Sequence, residues 1–253
     1  MEVVSKGYAL AEAPVWDGRG LIFSSVLSGG VFRVEADGRT ETVIAKRRGV
    51  GGAALHADGR LIVTGRDVVC GDDVLLGHEP GIAGYNDCGT LADGTLLVGG
   101  LRFNGVLGEP PVPAVLVRIS PGGTVEHTEL PHLMWPNGIA CAPDGETFYV
   151  ADYATGTVWR NATERFADVD GPEADGLAVD ADGALLVATG NSHTIRRYLP
   201  DGTLDSVLEV DTQFVSNVCF GGPDLRDLYI TTADAVLRTS VDVPGLPVPP
   251  ARV

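Results

Sequence analysis

The chain has 253 residues, 44% hydrophobic and 21% charged, enough apolar mass to bury a core without disulfide or metal staples. Its 18 Lys and Arg stand against 34 Asp and Glu, a net charge of −16, which repels phosphate backbones and anionic bilayers and argues against nucleic acid or membrane as partners. No apolar run reaches the roughly 18 residues of a membrane span, and MEVVSKGYALAE has no basic stretch followed by an apolar one. The expectation is a cytoplasmic protein, monomer or dimer, acting on a small molecule.

In chain order, the apolar run EVVSKGYAL comes first and belongs to no repeat. Six stretches then read as strand, tight turn, strand: APVWDGRGLIFSS, GGAALHADGRLIVTG, NDCGTLADGTLLVGG, PNGIACAPDGETFYVAD, ADGLAVDADGALLVATG and SNVCFGGPDLRDLYITTA. Their second strands open at Leu21, Leu61, Leu96, Phe148, Leu185 and Leu228, a period of about 40 residues. Asp-Gly and Gly-Gly between apolar runs are hairpin signals, because Gly accepts the positive φ of a tight turn. Five hairpins are followed by two further short apolar runs, and no segment sustains a 3.6-residue period. The pattern predicts an all-β, six-bladed β-propeller of four-stranded blades in one domain spanning 1–253. The sixth unit offers three strands before the Pro-rich tail 242–253, so the N-terminal run is expected to supply the fourth and close the ring. Cys70, Cys88, Cys141 and Cys219 are far apart, with no CxxC spacing, and read as small buried hydrophobes.

Counting back seven from the turn Asp of successive units gives Gly51, Asn86, Asn137, Asp175 and Asn217, and Glu12 begins the corresponding strand of the first unit. In a propeller the first strand of each blade lines the axis, so Glu12, Asn86, Asn137 and Asp175, with Asn217 as a fifth, are expected to form a ring of oxygens at one mouth of the channel. Two carboxylates and two amides aimed at one point call for a cation. All are hard oxygen donors. Calcium fits best, magnesium or manganese can substitute, and zinc is tolerated rather than preferred. The longest loop on that face, LRFNGVLGEPPVP (101–113), is expected to cover the pocket. Asn86, Arg102, Asn104, Trp135 and Asn217 are the candidate substrate contacts, Arg102 for a carboxylate, with Tyr85, Tyr153 and Phe214 as further wall.

EAPVW, PNGIACAPDG, ADGLAVDADGALLVA and CFGGPDLRDLYIT, in that order, resemble the SMP-30/gluconolactonase/LRE family, which includes regucalcin and bacterial gluconolactonases. The resemblance spans nearly the whole chain and implies a six-bladed propeller with one divalent metal, often hydrolysing lactones. It implies metal ligands at Glu12, Asn137 and Asp175, with Asn86 near the metal or substrate. Two features depart from the sugar-lactonase pattern: Gly84 stands where those members tend to carry Arg, and Arg102, Phe103 and Asn104 stand where they place an acidic substrate contact.

Metal-assisted hydrolysis of a lactone is the leading expectation, with Asp175 or Asp152 as general base. An isomerase or cyclase at the same metal is one alternative, and a non-catalytic calcium-binding or ligand-binding propeller is another. The sequence has no G-x-S-x-G motif, and its five His fall at no shared blade position.

Overall fold

The structure is a computed structural model that describes residues 1–35 and 37–253. Twenty-four strands form six four-stranded antiparallel sheets, as the repeats predict. The first blade holds β2 (Ala11–Trp16), β3 (Gly20–Ser25), β4 (Val31–Glu35) and β5 (Thr40–Ile44). The second holds β6 (Ala53–Leu55), β7 (Leu61–Val63), β8 (Val68–Cys70) and β9 (Asp73–Leu76). The third holds β10 (Gly84–Thr90), β11 (Leu96–Leu101), β12 (Ala114–Ile119) and β13 (Val125–Leu130), and the fourth β14 (Pro136–Cys141), β15 (Phe148–Asp152), β16 (Thr157–Arg160) and β17 (Glu164–Asp168). The fifth holds β18 (Leu177–Val179), β19 (Leu185–Ala188), β20 (Thr194–Tyr198) and β21 (Leu204–Glu209). In the sixth, β22 (Val215–Gly221), β23 (Asp227–Thr232) and β24 (Ala235–Ser240) are completed by β1 (Glu2–Lys6), which pairs antiparallel with β24 and closes the ring.

Hairpin chemistry sets each inner pair. In the fourth blade Asp144 Oδ1 accepts from the N–H groups of Glu146 and Thr147, and Gly145 takes φ 80°, a backbone state that residues with a Cβ rarely adopt. The middle strands β3, β11, β15 and β19 are buried on both faces. Their Val, Leu, Ile and Ala side chains pack between neighbouring blades, and this burial is the main favourable contribution to the fold.

The two ends of the axial channel differ. On one face lie the starts of the innermost strands and the loops joining second to third and fourth to first strands. Toward the other face the channel widens into a cavity of about 430 Å³ lined largely by Ala, Val, Ile, Leu and Cys side chains. The C-terminal tail crosses that end: Leu246 N–H donates to Val179 O, Thr90 Oγ1 to Pro249 O, Ala251 N–H to Leu55 O and Arg252 N–H to Gly94 O. The tail is thus a strap from the sixth blade to the second. Cys70 and Cys88 are buried, Cys141 and Cys219 half-buried, and all four are unpaired thiols.

Candidate metal and substrate site

The starts of the innermost strands are irregular where polar residues occur. The β2–β3 register shifts between Glu12 and Val15, β10–β11 between Tyr85 and Cys88, β14–β15 between Pro136 and Ile139, and β22–β23 between Val215 and Asn217. Such bulges turn side chains away from the regular alternation. Here they aim carboxylates and amides at the axis.

A closed belt of hydrogen bonds fixes these starts. Ser24 Oγ donates to Val50 O (2.6 Å), Thr64 Oγ1 to Asn86 O (2.5 Å) and Asn86 Nδ2 to Pro136 O (3.0 Å). Gly138 N–H donates to Asp175 O (3.2 Å), Gly176 N–H to Ser216 O (2.9 Å) and Ser216 Oγ to Ala11 O (2.6 Å). Each bond crosses one inter-blade seam, so all six seams are bridged. Gly176 is required by this proximity, because a Cβ there would lie 1.9 Å from Asn217 Oδ1.

Inside the belt, Glu12, Asp87, Asn137, Asp175 and Asn217 are all buried. Glu12 Oε2 accepts from Ala13 N–H (2.9 Å) and Asn217 Nδ2 (3.1 Å). Asp87 Oδ1 accepts from Cys88 N–H (2.7 Å), and its Oδ2 lies 3.4 Å from the same Asn217 Nδ2. Asp175 Oδ1 is buried with no hydrogen-bond partner, and among the described residues the Asn137 amide takes none either. Burial, reinforced by the Asp87 charge, pushes Glu12 up to about 8. Burial pushes Asp87 up to about 7. Asp175 is driven well above the carboxylate range by burial and then by Glu12, Asp87 and Glu173. Three carboxyls held above their ordinary values, one with an orphaned oxygen, concentrate buried negative charge that a cation would relieve.

The donor chemistry fits a hard divalent ion. Two carboxylates balance its charge, and an amide oxygen adds a neutral ligand. Among the described residues no three His, Cys, Asp or Glu side chains are placed to hold a metal by themselves.

Other expected site residues are placed differently. The Asn86 amide bridges the second and fourth blades: Nδ2 is spent on Pro136 O, and Oδ1 faces Gly51, where a Cβ would sit 2.7 Å away. It braces the ring there, and its neighbour Asp87 reaches Asn217. Asp87 stands one residue past the position that a count of seven back from the turn marks. Asp152 has both oxygens occupied, Oδ2 by Met134 N–H (3.1 Å) and Oδ1 by the N–H groups of Trp135 (2.9 Å) and Ala154 (3.2 Å). Arg102 grips Glu129 with two hydrogen bonds of 2.6 and 2.5 Å. Asn104 caps the short turn Gly105–Leu107 by accepting from Leu107 N–H.

Trp135 sits in an aromatic cluster. Its ring packs edge-on against Phe103 (centroids 4.9 Å apart) and against Tyr153 (4.8 Å), and Gly105 lies so close that a Cβ would meet the indole at 2.3 Å. The long loop is thereby seated on the mouth. The Tyr153 hydroxyl is raised by burial, then by Asp175 and Glu173. Glu173, which sequence reasoning missed, is held by Asn191 through backbone N–H and Nδ2, both at 2.7 Å.

A six-bladed propeller with buried carboxylates and amides at one mouth defines the class. Residues 10–234 match the SMP-30/Gluconolactonase/LRE-like region, and the chain belongs to that family. It is 30% identical to the pentonolactonase XacC of Haloferax volcanii over 91% of this chain and 84% of that protein. It is 25% identical to the 6-deoxy-6-sulfogluconolactonase of Pseudomonas putida over 96% and 95%. Among solved structures, a putative gluconolactonase superposes with a TM-score of 0.83 at 25% identity, over 97% of this chain and 93% of that one.

Proposed function

We propose that the chain hydrolyses a lactone at the ring-side mouth of its channel, with a divalent cation, calcium by preference, held by Glu12, Asn137 and Asp175. The observation that carries this reading is the orphaned Asp175 Oδ1 among three buried carboxyls. Lactonase names among the relatives support the reaction class. When bound, such a cation polarises an ester carbonyl and acidifies water beside it.

The chain's own groups supply the rest. Asp175 has one oxygen without a protein partner, and it accepts the proton of the attacking water. Asp152 stands outside the chemistry, because three backbone N–H groups fill its carboxylate and fix the loop that carries Trp135. The Asn137 amide and the Tyr153 hydroxyl face the same space and orient the substrate's oxygens. Trp135, Tyr153 and Phe103 exclude bulk water from one side. The opposite end of the channel is strapped by the tail and apolar, so substrate enters from the ring face.

The test is a pH-indicator assay over a lactone panel with calcium and with EDTA. Acid release that needs calcium supports the reading. Lactone turnover untouched by exhaustive chelation, or none on any lactone, would overturn it.

A further inference from the structure

The second blade contributes no side chain to the ring, because Gly51 and Gly52 occupy its strand start. What it presents at the mouth is positive charge. Lys46, Arg47 and Arg48 lie between β5 and β6, and Arg66 lies between β7 and β8, a concentration of cations in a chain of net charge −16. Arg47 locks the two loops together, its Nη2 donating to Asp67 Oδ1 (2.6 Å) and Asp67 O (2.9 Å). That pair consumes the one acid of these loops. Among the described residues Lys46, Arg48 and Arg66 form no ion pair, and all three are exposed. Elsewhere on the rim Arg102 pairs with Glu129, His127 with Glu79 and Arg196 with Asp170.

The backbone places Arg66 at the seam between the second and third blades. Gly65 and Tyr85 exchange both hydrogen bonds across the seam between the second and third blades (3.1 and 2.7 Å). The next pair outward in the same antiparallel alignment sets Arg66 opposite Gly84, which has no side chain to fill the space. A Cβ at Gly84 would meet only the Gly65 backbone, at 3.4 Å or beyond. Gly84 opens the strand that carries Asn86 and Asp87 into the ring. Arg48 flanks the other seam, its Cγ 3.0 Å from where a Gly29 Cβ would be. It is three residues from Gly51, which touches Asn86 Oδ1, so its Cα is within about 10 Å of the ring wall.

We propose that this rim is an anion subsite, in which Arg66 and Arg48 bind a carboxylate, sulfonate or phosphate substituent of the substrate, so that the chain acts on acidic lactones. The proposal rests on the lactonase reading for its reaction, but its binding arm does not need turnover. Guanidinium groups suit these planar or tetrahedral anions because they donate paired, charge-assisted hydrogen bonds.

The calcium-loaded protein is assayed on gluconolactone, its 6-phosphate and glucaric acid monolactone at low ionic strength. The expected kcat/KM ratio of acidic to neutral lactone is about tenfold or more, it shrinks as salt is added, and it collapses to within about twofold of unity in the Arg48→Gln/Arg66→Gln double variant. A ratio near one in the parent, or a ratio unchanged in the variant, overturns the subsite. Calorimetric binding of phosphogluconate against gluconate separates the two readings. Tighter phosphogluconate binding that is lost in the variant upholds the subsite even where no lactone turns over, an outcome that would sink the lactonase reading alone. Equal affinities in the parent overturn the subsite whatever the rates.

Discussion

Asn217 Nδ2 lies 3.1 Å from Glu12 Oε2 and 3.4 Å from Asp87 Oδ2, so one amide group serves two buried carboxylates from different blades. Its own Oδ1 is fixed by Val218 N–H at 2.8 Å, which sets the orientation of the amide. Removing it leaves two carboxylates without their shared donor. Asn217→Ala is expected to lose about 1–3 kcal/mol of stability without metal, and less with saturating calcium, when the cation neutralises the same charges. Urea unfolding with EDTA and with calcium measures both; equal losses would show that Asn217 does not buffer the carboxylates.

The raised carboxyls give a pH dependence with a definite sign. Glu12 stands at about 8 and Asp87 at about 7 in the fold, against roughly 4 in an unfolded chain. The folded state therefore binds more protons between those values, and stability falls as pH rises. The contribution is complete below about pH 4 and gone above about pH 8. The melting temperature in EDTA is expected to decline from pH 5 to 8.5, and calcium, which favours the ionised carboxylates, is expected to flatten or reverse that slope. Parallel profiles with and without calcium would remove these carboxyls from any cation site.

The repeats, the closing strand and the strand starts that bury Glu12, Asn137, Asp175 and Asn217 were legible in the sequence because Asp-Gly turns mark each hairpin. Asp87 was not, since it stands one residue past the position that the count back from the turn marks. The contacts of Asp152 and Arg102 were equally hidden. Asp152 is occupied by backbone N–H groups 17 and 18 residues away, and Arg102 is answered by Glu129 on β13, 27 residues on. Partners of this kind are set by tertiary placement and not by local pattern.

Glu12 and Asp175 differ in what their loss should do. Glu12→Gln keeps the shape but removes one of the two charges balancing a divalent ion, so the calcium-induced rise in melting temperature is expected to shrink, following the linkage between affinity and stability. An undiminished rise would exclude Glu12 as a ligand. Asp175→Asn removes both a ligand charge and the proton acceptor. With calcium at saturation, its kcat is expected to fall by about 10²–10⁴-fold, whereas Glu12→Gln should recover much of its rate once calcium is raised.

Asp152→Asn separates a brace from a base. Its carboxylate accepts from the N–H groups of Met134, Trp135 and Ala154, and an amide can accept at only one of its two ends. The Met134 or Trp135 N–H is then left facing an NH₂ group, at an expected cost of about 1–3 kcal/mol, and the Trp135–Tyr153 wall loosens. The melting temperature should drop and KM should rise, because Trp135 borders the substrate's space. The limb of the pH–rate profile that reports the general base should stay where it is in the parent, since the proton acceptor is Asp175. A displaced limb, or a loss of kcat as large as that of Asp175→Asn in folded protein at saturating substrate, would return Asp152 to the chemistry.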